Sequence, residues 1–419
     1  MRRTTHRALR AVHVVLEELL HIERRFEPWF RPALNRVARE PTARLVQYLI
    51  NRRRRPEGLA LAEERIDPDE EARIDEIIDL MADQMRGHFE PGRYERGGNT
   101  KTHGLVRATV TVRDDLPAHF RRGIFAEPRS YPAWVRYSGP GPDVPADIRD
   151  VGFGSMAIKL MEVPGEKLVD EERFTQDLIA VSTPTFVTPD VRANAALQHW
   201  SLIDLPIFFF VNVRAPHLLD FVMQGLWNET LHNPLGTRYW SCVPYLLGEG
   251  QAMMYGFLPK SDVVRDIPGL PLGSVPFDYL RDNMRRTLDE RGVEFDLALQ
   301  LQTDPERMPI ENAAVRWPER LSPFVPAATV RIEPQTFDTD LRAALDRRLK
   351  MNPWHALPAH RPLGNQSRAR YRLYRTLSDY RQRLNGVPHV EPSVDDEFWW
   401  DETDRPARGT ARNADLVGA

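Results

Sequence analysis

The sequence predicts an α+β protein, with an antiparallel β-sheet or barrel in the middle of the chain and helices before and after it. Three observations carry that expectation. Six short runs, at 103–112, 134–138, 156–160, 178–181, 252–257 and 328–332, are apolar and mostly rich in β-branched or aromatic residues, the composition of strands. Long irregular excursions, rich in Pro, Gly and Asp, separate them, unlike the repeated strand–helix units of a parallel sheet. Before residue 90 and after residue 365 the pattern becomes helical.

Taken in order, residues 1–95 form the expected N-terminal helical arm. Leu9, Val12, Leu16, Leu19 and Leu20 recur at helical spacing, Pro28, Pro32 and Pro41 punctuate the next stretch, and positions 52–55 are four consecutive arginines. Such an arm has two readings. It is a basic amphipathic element that lies through residues 1–60 on an anionic membrane, or an arm packed on the body or on a second subunit of a homo-oligomer. Residues 96–390 make the main domain, with helices expected near 190–205, 215–231, 277–291 and 366–385. Gly386 is placed to end the last of these. The acidic and Arg/Gly/Ala-rich stretch at 391–419 reads as a loosely ordered tail.

Composition excludes several classes. With 419 residues, 42% hydrophobic and 28% charged, the chain can bury a large core and is neither fibrous nor wholly disordered. A net charge of −3 argues against nucleic acid as a partner of the whole chain. A single cysteine, Cys242, excludes an intramolecular disulfide and a cysteine-rich metal centre. The basic start lacks a secretory cleavage pattern, and the most apolar segment, 205–213, is too short to span a bilayer. The expected location is the cytoplasm, with a peripheral position on the inner membrane as the alternative.

Several motifs then appear in a fixed order: Lys101-Thr-His-Gly104, Trp134-Val-Arg-Tyr-Ser138, Ile148-Arg-Asp150, Thr183-Pro-Thr-Phe186 and Arg370-x-x-x-Tyr374. Between and after them lie Asn233-Pro-Leu-Gly-Thr-Arg-Tyr-Trp-Ser241, Leu301-Gln-Thr-Asp304 and the segment 353–364. Over residues 100–386 this series resembles the catalase superfamily, and within it the bacterial catalase-related haem proteins. The resemblance implies a catalase-like antiparallel β-barrel with haem b, and hence iron, buried between barrel and helices.

It also implies roles. His103 would be the distal histidine that moves a proton of a peroxide, a task suited to imidazole. Tyr374 would be the axial iron ligand, its phenolate favoured by Arg370 one helical turn earlier. Arg136, with Arg381 or Arg383, would hold the haem propionates. Ser138 would share a strand face with Arg136 and could hydrogen-bond His103. The bland alternatives are a structural histidine, surface arginines and an exposed helix that merely contains tyrosines.

Two departures bear on function. Catalases carry an asparagine shortly before the Thr-Pro pair, where this chain has Val181 or Ser182. Thr100 stands in place of a propionate-binding arginine, and Lys101 is the candidate substitute. Thr102, directly before His103, resembles the coral allene oxide synthases, where threonine hydrogen-bonds the histidine and disfavours hydrogen peroxide. The leading expectation is therefore a haem enzyme acting on organic, fatty-acid-derived hydroperoxides. A weak catalase or peroxidase using hydrogen peroxide is the alternative, and a non-catalytic haem- or lipid-binding protein at a membrane is a third. Thiolate ligation through Cys242 is a minor option. The 208–210 phenylalanines are read either as an apolar entrance or as buried core.

Overall fold

The computed structural model describes residues 2–212 and 215–399. Among them are nine strands: β1 (Thr102–Val112), β2 (Ser130–Ser138), β3 (Ser155–Leu160), β4 (Gln176–Val181), β5 (Tyr239–Trp240), β6 (Tyr245–Leu246), β7 (Ala252–Pro259), β8 (Val293–Leu301) and β9 (Val325–Ile332). All pairings are antiparallel, in the order β5-β4-β3-β2-β1-β9-β8-β7-β6. Tyr239 opposite Phe257 and Trp240 opposite Gly256 close the ring, so eight strands form a barrel and β6 lies outside it. Closure removes the open edges at which an antiparallel sheet would otherwise aggregate.

Strand alternation builds the core. Val106, Ala108, Val110 and Val112 of β1 point inward and pack with Tyr137, Ile158, Leu178, Phe257, Phe295 and Val330 from the other strands. Fully burying one such large side chain stabilises the fold by roughly 1.5–3 kcal/mol. Leu105 faces the opposite way and packs with Trp134, Leu345 and Leu349 outside the barrel.

The helices are α1 (Arg2–Leu34), α2 (Glu40–Arg53), α3 (Glu70–His88), α4 (Val191–Leu202), α5 (Ile207–Val211), α6 (Leu218–Gly225), α7 (Tyr279–Glu290), α8 (Asp340–Arg348) and α9 (Asn365–Asn385). A π-helical stretch, Asn35–Arg39, joins α1 to α2. Asp190 caps α4 by accepting the Ala193 N–H at 2.8 Å. Gly386, with φ of 62°, ends α9 in the left-handed conformation that glycine adopts without strain. Ile74 and Ile77 of α3, Val191 of α4 and Ala369 of α9 form a separate helical core, while Met284 and Leu288 of α7 join the barrel core.

The N-terminal arm packs on the body, anchored by buried Arg24, Glu27 and Arg31. Residues 391–399 are not loose. The Glu391 carboxylate accepts the Arg173 and Phe174 N–H groups at 2.8 and 2.6 Å. Phe398 is buried, and Trp399 meets Trp134 edge-on at 5.1 Å. The apolar surface these aromatics bury against the barrel favours the ordered position of this stretch. The rest of the expected tail lies outside the described residues.

Candidate functional site

The outer face of β2–β4 positions the first group of candidate residues. Arg136 on β2 pairs with Leu105 and with Ala157, and Ala157 pairs with Ile179 on β4. Arg136 is therefore on the side away from the barrel core, yet only 3% exposed. A buried guanidinium requires partners. Its Nε donates to Oδ1 of Asp346 at 2.7 Å, and its Nη2 donates to the Thr102 hydroxyl at 2.6 Å. The same hydroxyl donates to Asp346 Oδ2 at 2.8 Å.

Two more arginines converge here. Arg96 reaches Asp346 Oδ2 at 3.3 Å and the Leu349 carbonyl at 3.2 Å. Arg381 of α9 donates from Nη2 to that carbonyl at 3.3 Å, but its buried Nε has no hydrogen-bond partner among the described residues. Burial opposes charge on Asp346, but Arg136 and Arg96 overcome it and hold the carboxyl far below its ordinary range. Burial, together with mutual repulsion from Arg96, brings Arg136 down to about 10 and Arg381 to about 9. Glu95 nearby is pushed upward by burial. Three cations thus share one firmly ionised carboxylate.

His103 belongs to a different pocket. Counting back from outward-facing Leu105, regular alternation would turn Thr102 inward, but a β-bulge between Thr102 and Gly104 returns it to the outer face. His103 instead faces Asp147, with Nδ1 3.7 Å from Oδ1 and no hydrogen bond at Nδ1 among the described residues. A cavity of about 10 Å³ adjoins it, bounded by Arg24, Asp147, Leu231, Tyr279 and Leu280 and by no residue of α9. Lys101 sits beside it, with Nζ 2.7 Å from Asp147 and 2.8 Å from Asp278. Burial, then Lys101 and two arginines, push His103 down to about 3, and burial pushes Asp147 up to about 6 despite Lys101. His103 is neutral at neutral pH.

Arg370 and Tyr374 share one face of α9, a single turn apart. Arg370 is buried, lies 5.1 Å from the centre of the Phe186 ring, and has an Nη1 without a partner among the described residues. Tyr374, Tyr245, Tyr255 and Cys242 all act on its charge, and together they raise its pKa although burial works the other way. Tyr374 is half-buried.

Several sequence expectations differ from this geometry. Thr102 hydrogen-bonds Asp346 and Arg136 rather than His103, because the bulge separates the two side chains. Ser138 makes no hydrogen bond to His103, whose Nδ1 is unpartnered, and pairs across the sheet with Thr102. Lys101 serves Asp147 and not the arginine cluster. Arg383 is exposed beside the Tyr380 ring, so Arg381 alone of that pair joins the cluster. Cys242 is buried and donates its S–H to the Thr183 carbonyl at 2.8 Å, and burial drives its pKa sharply upward, against thiolate formation. Phe209 is buried and stacked on His217, and the 208–210 run borders neither the His103 pocket nor the larger cavity beneath the arm.

Three features lie beyond the reach of sequence reasoning. Arg96 and Asp346 carry no motif and meet only in the fold. A buried ionic cluster on the outer barrel face joins Lys159 to Asp177 at 2.7 Å and to Glu172, with His355 Nδ1 3.0 Å from Asp177. Glu172, Asp177 and His355 have metal-ligand spacing, but the Lys159 ammonium already fills the space between them. His355 is raised to about 10, its carboxylate neighbours outweighing burial and Lys159. Finally, a cavity of about 1190 Å³ lies between the arm and the body. Its lining includes Trp227, over which Arg316 sits at 4.9 Å, and Trp240, covered by Arg238 at 4.6 Å. Ser182 touches this cavity, and Thr230 and Leu231 line both it and the His103 pocket.

No family model matches the chain, and no curated protein matches it. Solved structures do. A fungal catalase superposes with a TM-score of 0.54 at 13% identity, covering 87% of this chain and 76% of its own. Catalase A from Saccharomyces cerevisiae gives 0.54 at 13% identity, over 87% of this chain and 78% of the other. The fold is catalase-like. At that identity the likeness concerns architecture, so the chemistry has to be argued from the residues above.

Proposed function

We propose that the chain binds haem between the outer barrel face and α9, and uses it on an organic hydroperoxide. One observation carries this reading. Arg96, Arg136 and Arg381 crowd a single ionised carboxylate on the barrel face, an excess of buried positive charge suited to two propionates. The donor set fits the group: Arg381 Nε and Arg370 Nη1 are buried without partners among the described residues, and the Arg370-x-x-x-Tyr374 face offers a phenol beside a cation.

Haem when bound supplies the iron centre at which an O–O bond is cleaved. Tyr374 would hold the iron as phenolate, with Arg370 favouring its ionised form. Arg136 and Arg381 would pair with the propionates. His103, neutral and with an open acceptor position, would take the hydroperoxide proton, and Asp147 at 3.7 Å would stabilise the resulting imidazolium.

The preference for organic hydroperoxides rests on two features. No amide stands in the distal window, where Ser182 Oγ instead accepts the Gly154 N–H at 3.0 Å. The large cavity that shares Thr230 and Leu231 with the His103 pocket combines indole faces with arginines, which suits a long apolar chain ending in a carboxylate. The test is a haem titration, then initial rates on a fatty-acid hydroperoxide and on hydrogen peroxide. A saturating one-to-one spectral change and faster turnover of the organic substrate are expected. Failure to bind haem ends this reading, and faster hydrogen peroxide turnover assigns a catalase or peroxidase activity.

A second reading is favoured by a specific observation. Asp346 already occupies the arginine cluster, and the cavity against His103 holds only about 10 Å³. A catalase-fold protein that has exchanged its cofactor for an internal carboxylate would look like this, and the same titration separates the two.

A further inference from the structure

We infer that the N-terminal arm is an anionic-membrane docking surface, with α1 lying along the bilayer and the barrel held above it. The arm is turned inside out relative to an ordinary surface helix, whose apolar stripe faces the core. His21, Arg24, Glu27 and Arg31, at spacings of three or four, are at most 9% exposed and face the body. On the opposite side Val12, Val15, Leu19, Ile22, Phe26 and Trp29 recur every three or four residues, and each is between 41% and 60% exposed. The stripe continues through Val37, at 75%, to Leu45 on α2, at 58%. At about 1.5 Å per residue the apolar line runs for roughly 50 Å.

Its outward orientation is fixed by buried polar contacts. Arg24 donates to the Val151 carbonyl at 3.1 Å, the Thr230 hydroxyl donates to Glu27 at 2.6 Å, and Arg31 donates to the Gly225 carbonyl at 2.7 Å. Rotating the helix to hide the stripe would carry these charges into water but leave the Val151 and Gly225 carbonyls and the Thr230 hydroxyl on the body facing apolar side chains without partners, which opposes the rotation. The surface is also wider than one helix. Arg25 donates to the Pro271 carbonyl at 2.6 Å and so holds beside the arm the loop that presents Leu272, at 84% the most exposed large apolar side chain among the described residues.

Charge selects the occupant. Residues 1–55 contain fourteen arginines and five glutamates, a net charge of +9, so the remaining chain carries −12. Arg10, Arg36, Arg44, Arg52, Arg53 and Arg55 are exposed. Two copies joined along this stripe would bring +9 against +9. An anionic lipid surface instead neutralises the arginines while accepting the apolar stripe, with Trp29 at the headgroup level. The acidic body would be repelled from the same surface, which orients the molecule arm-down. Arg24 also borders the His103 pocket, so the docked face lies on that side of the barrel.

The experiment is vesicle co-sedimentation of the full-length protein, with phosphatidylcholine alone and with phosphatidylglycerol added, at low and high salt. Partition to the anionic vesicles should exceed that to neutral ones by about tenfold or more, and should fall with salt. Ile22→Glu with Trp29→Glu should reduce it by about tenfold or more, with an unchanged thermal melt. Neutralising Arg52 to Arg55 as glutamines, which leaves the stripe intact, should weaken binding and flatten its salt dependence. Equal binding to both vesicle types, no binding, or an unaffected double variant would overturn the inference. So would a sedimentation-defined dimer without vesicle binding that Ile22→Glu dissociates, since the stripe would then join two copies. Haem is not needed for any of these readouts, so the outcome is independent of the enzymatic reading.

Discussion

The Nε of Arg136 lies 2.7 Å from Oδ1 of Asp346, and both side chains are buried on the outer wall of the barrel. Arg96 reaches the other oxygen of the same carboxylate at 3.3 Å, whereas Arg381 feels its charge but donates to the Leu349 carbonyl. The pair therefore neutralises one cation among three, which makes Asp346 the natural competitor of any anionic ligand at this position.

Asp346→Asn exploits that competition. Removing the charge leaves the buried Arg136 guanidinium without its anion and weakens the hold on Arg96 and Arg381, a loss of about 3–5 kcal/mol in the ligand-free protein. Haem propionates would replace the missing charge, so the gain in Tm on adding haem should be larger in the variant than in the parent. Calorimetry with and without haem checks this, and an equal gain in both proteins separates Asp346 from the binding site.

His103→Ala tests the proton transfer. Turnover of a fatty-acid hydroperoxide by the haem-loaded protein should fall by about 10²- to 10⁴-fold. Haem affinity should change little, because His103 touches neither the arginine cluster nor α9. Stopped-flow rates and a haem titration on the same preparation read the two quantities separately. Undiminished turnover would remove His103 from the mechanism.

Tyr374 and Tyr371 provide an internal control on one helix. Tyr374→Phe should abolish the phenolate-type absorption of the ferric haem complex. Tyr371→Phe should leave it unchanged, since Tyr371 is 38% exposed and packs on Trp354 at 4.9 Å. Absorption spectra of the two variants decide between ligation by Tyr374 and a merely structural helix.

Acid stability depends on two buried neutral histidines. His360 Nε2 accepts the Ile124 N–H at 3.0 Å, so protonating it destroys a buried hydrogen bond. Burial, the larger influence, depresses His103 to about 3 and His360 to about 4, below an unfolded value near 6.5. For a depressed histidine the unfolded chain binds the proton first. Stability is complete above pH 6.5 and falls as pH drops towards 4, by about 1.4 kcal/mol per pH unit for each proton. Asp147, raised from 3.8 to about 6, acts in the opposite direction between those values but offsets only one proton. Urea unfolding between pH 7 and 4 should show this decline, and His360→Asn should make it shallower.

Much of the architecture is legible in the sequence. The six apolar runs all fall within barrel strands, and α9 begins and ends within one residue of its expected bounds. β8 is missing from those runs although Val293, Phe295, Leu297 and Leu299 alternate with Glu294 and Asp296, a half-buried strand pattern. The site is legible only where residues lie close in sequence, as Arg370 and Tyr374 do. Asp346 approaches Arg136 across 210 residues, and no local pattern announces such an approach. The direction of Thr102 is equally hidden, since strict alternation assigns it the wrong face.

The bulge between Thr102 and Gly104 has a consequence for how this strand tolerates change. It works as a phase shift of one residue in an otherwise period-two pattern. Its extra residue is His103, so deleting one residue there would restore regular alternation only by removing the imidazole, while the Thr102 hydroxyl would keep its place on the outer face. A substitution at Thr102 or His103 alters one side chain, whereas a single-codon insertion, or deletion of a neighbouring residue, also shifts Lys101 and everything before it by one residue along the strand. This stretch of β1 should therefore accept changes of identity more readily than changes of length.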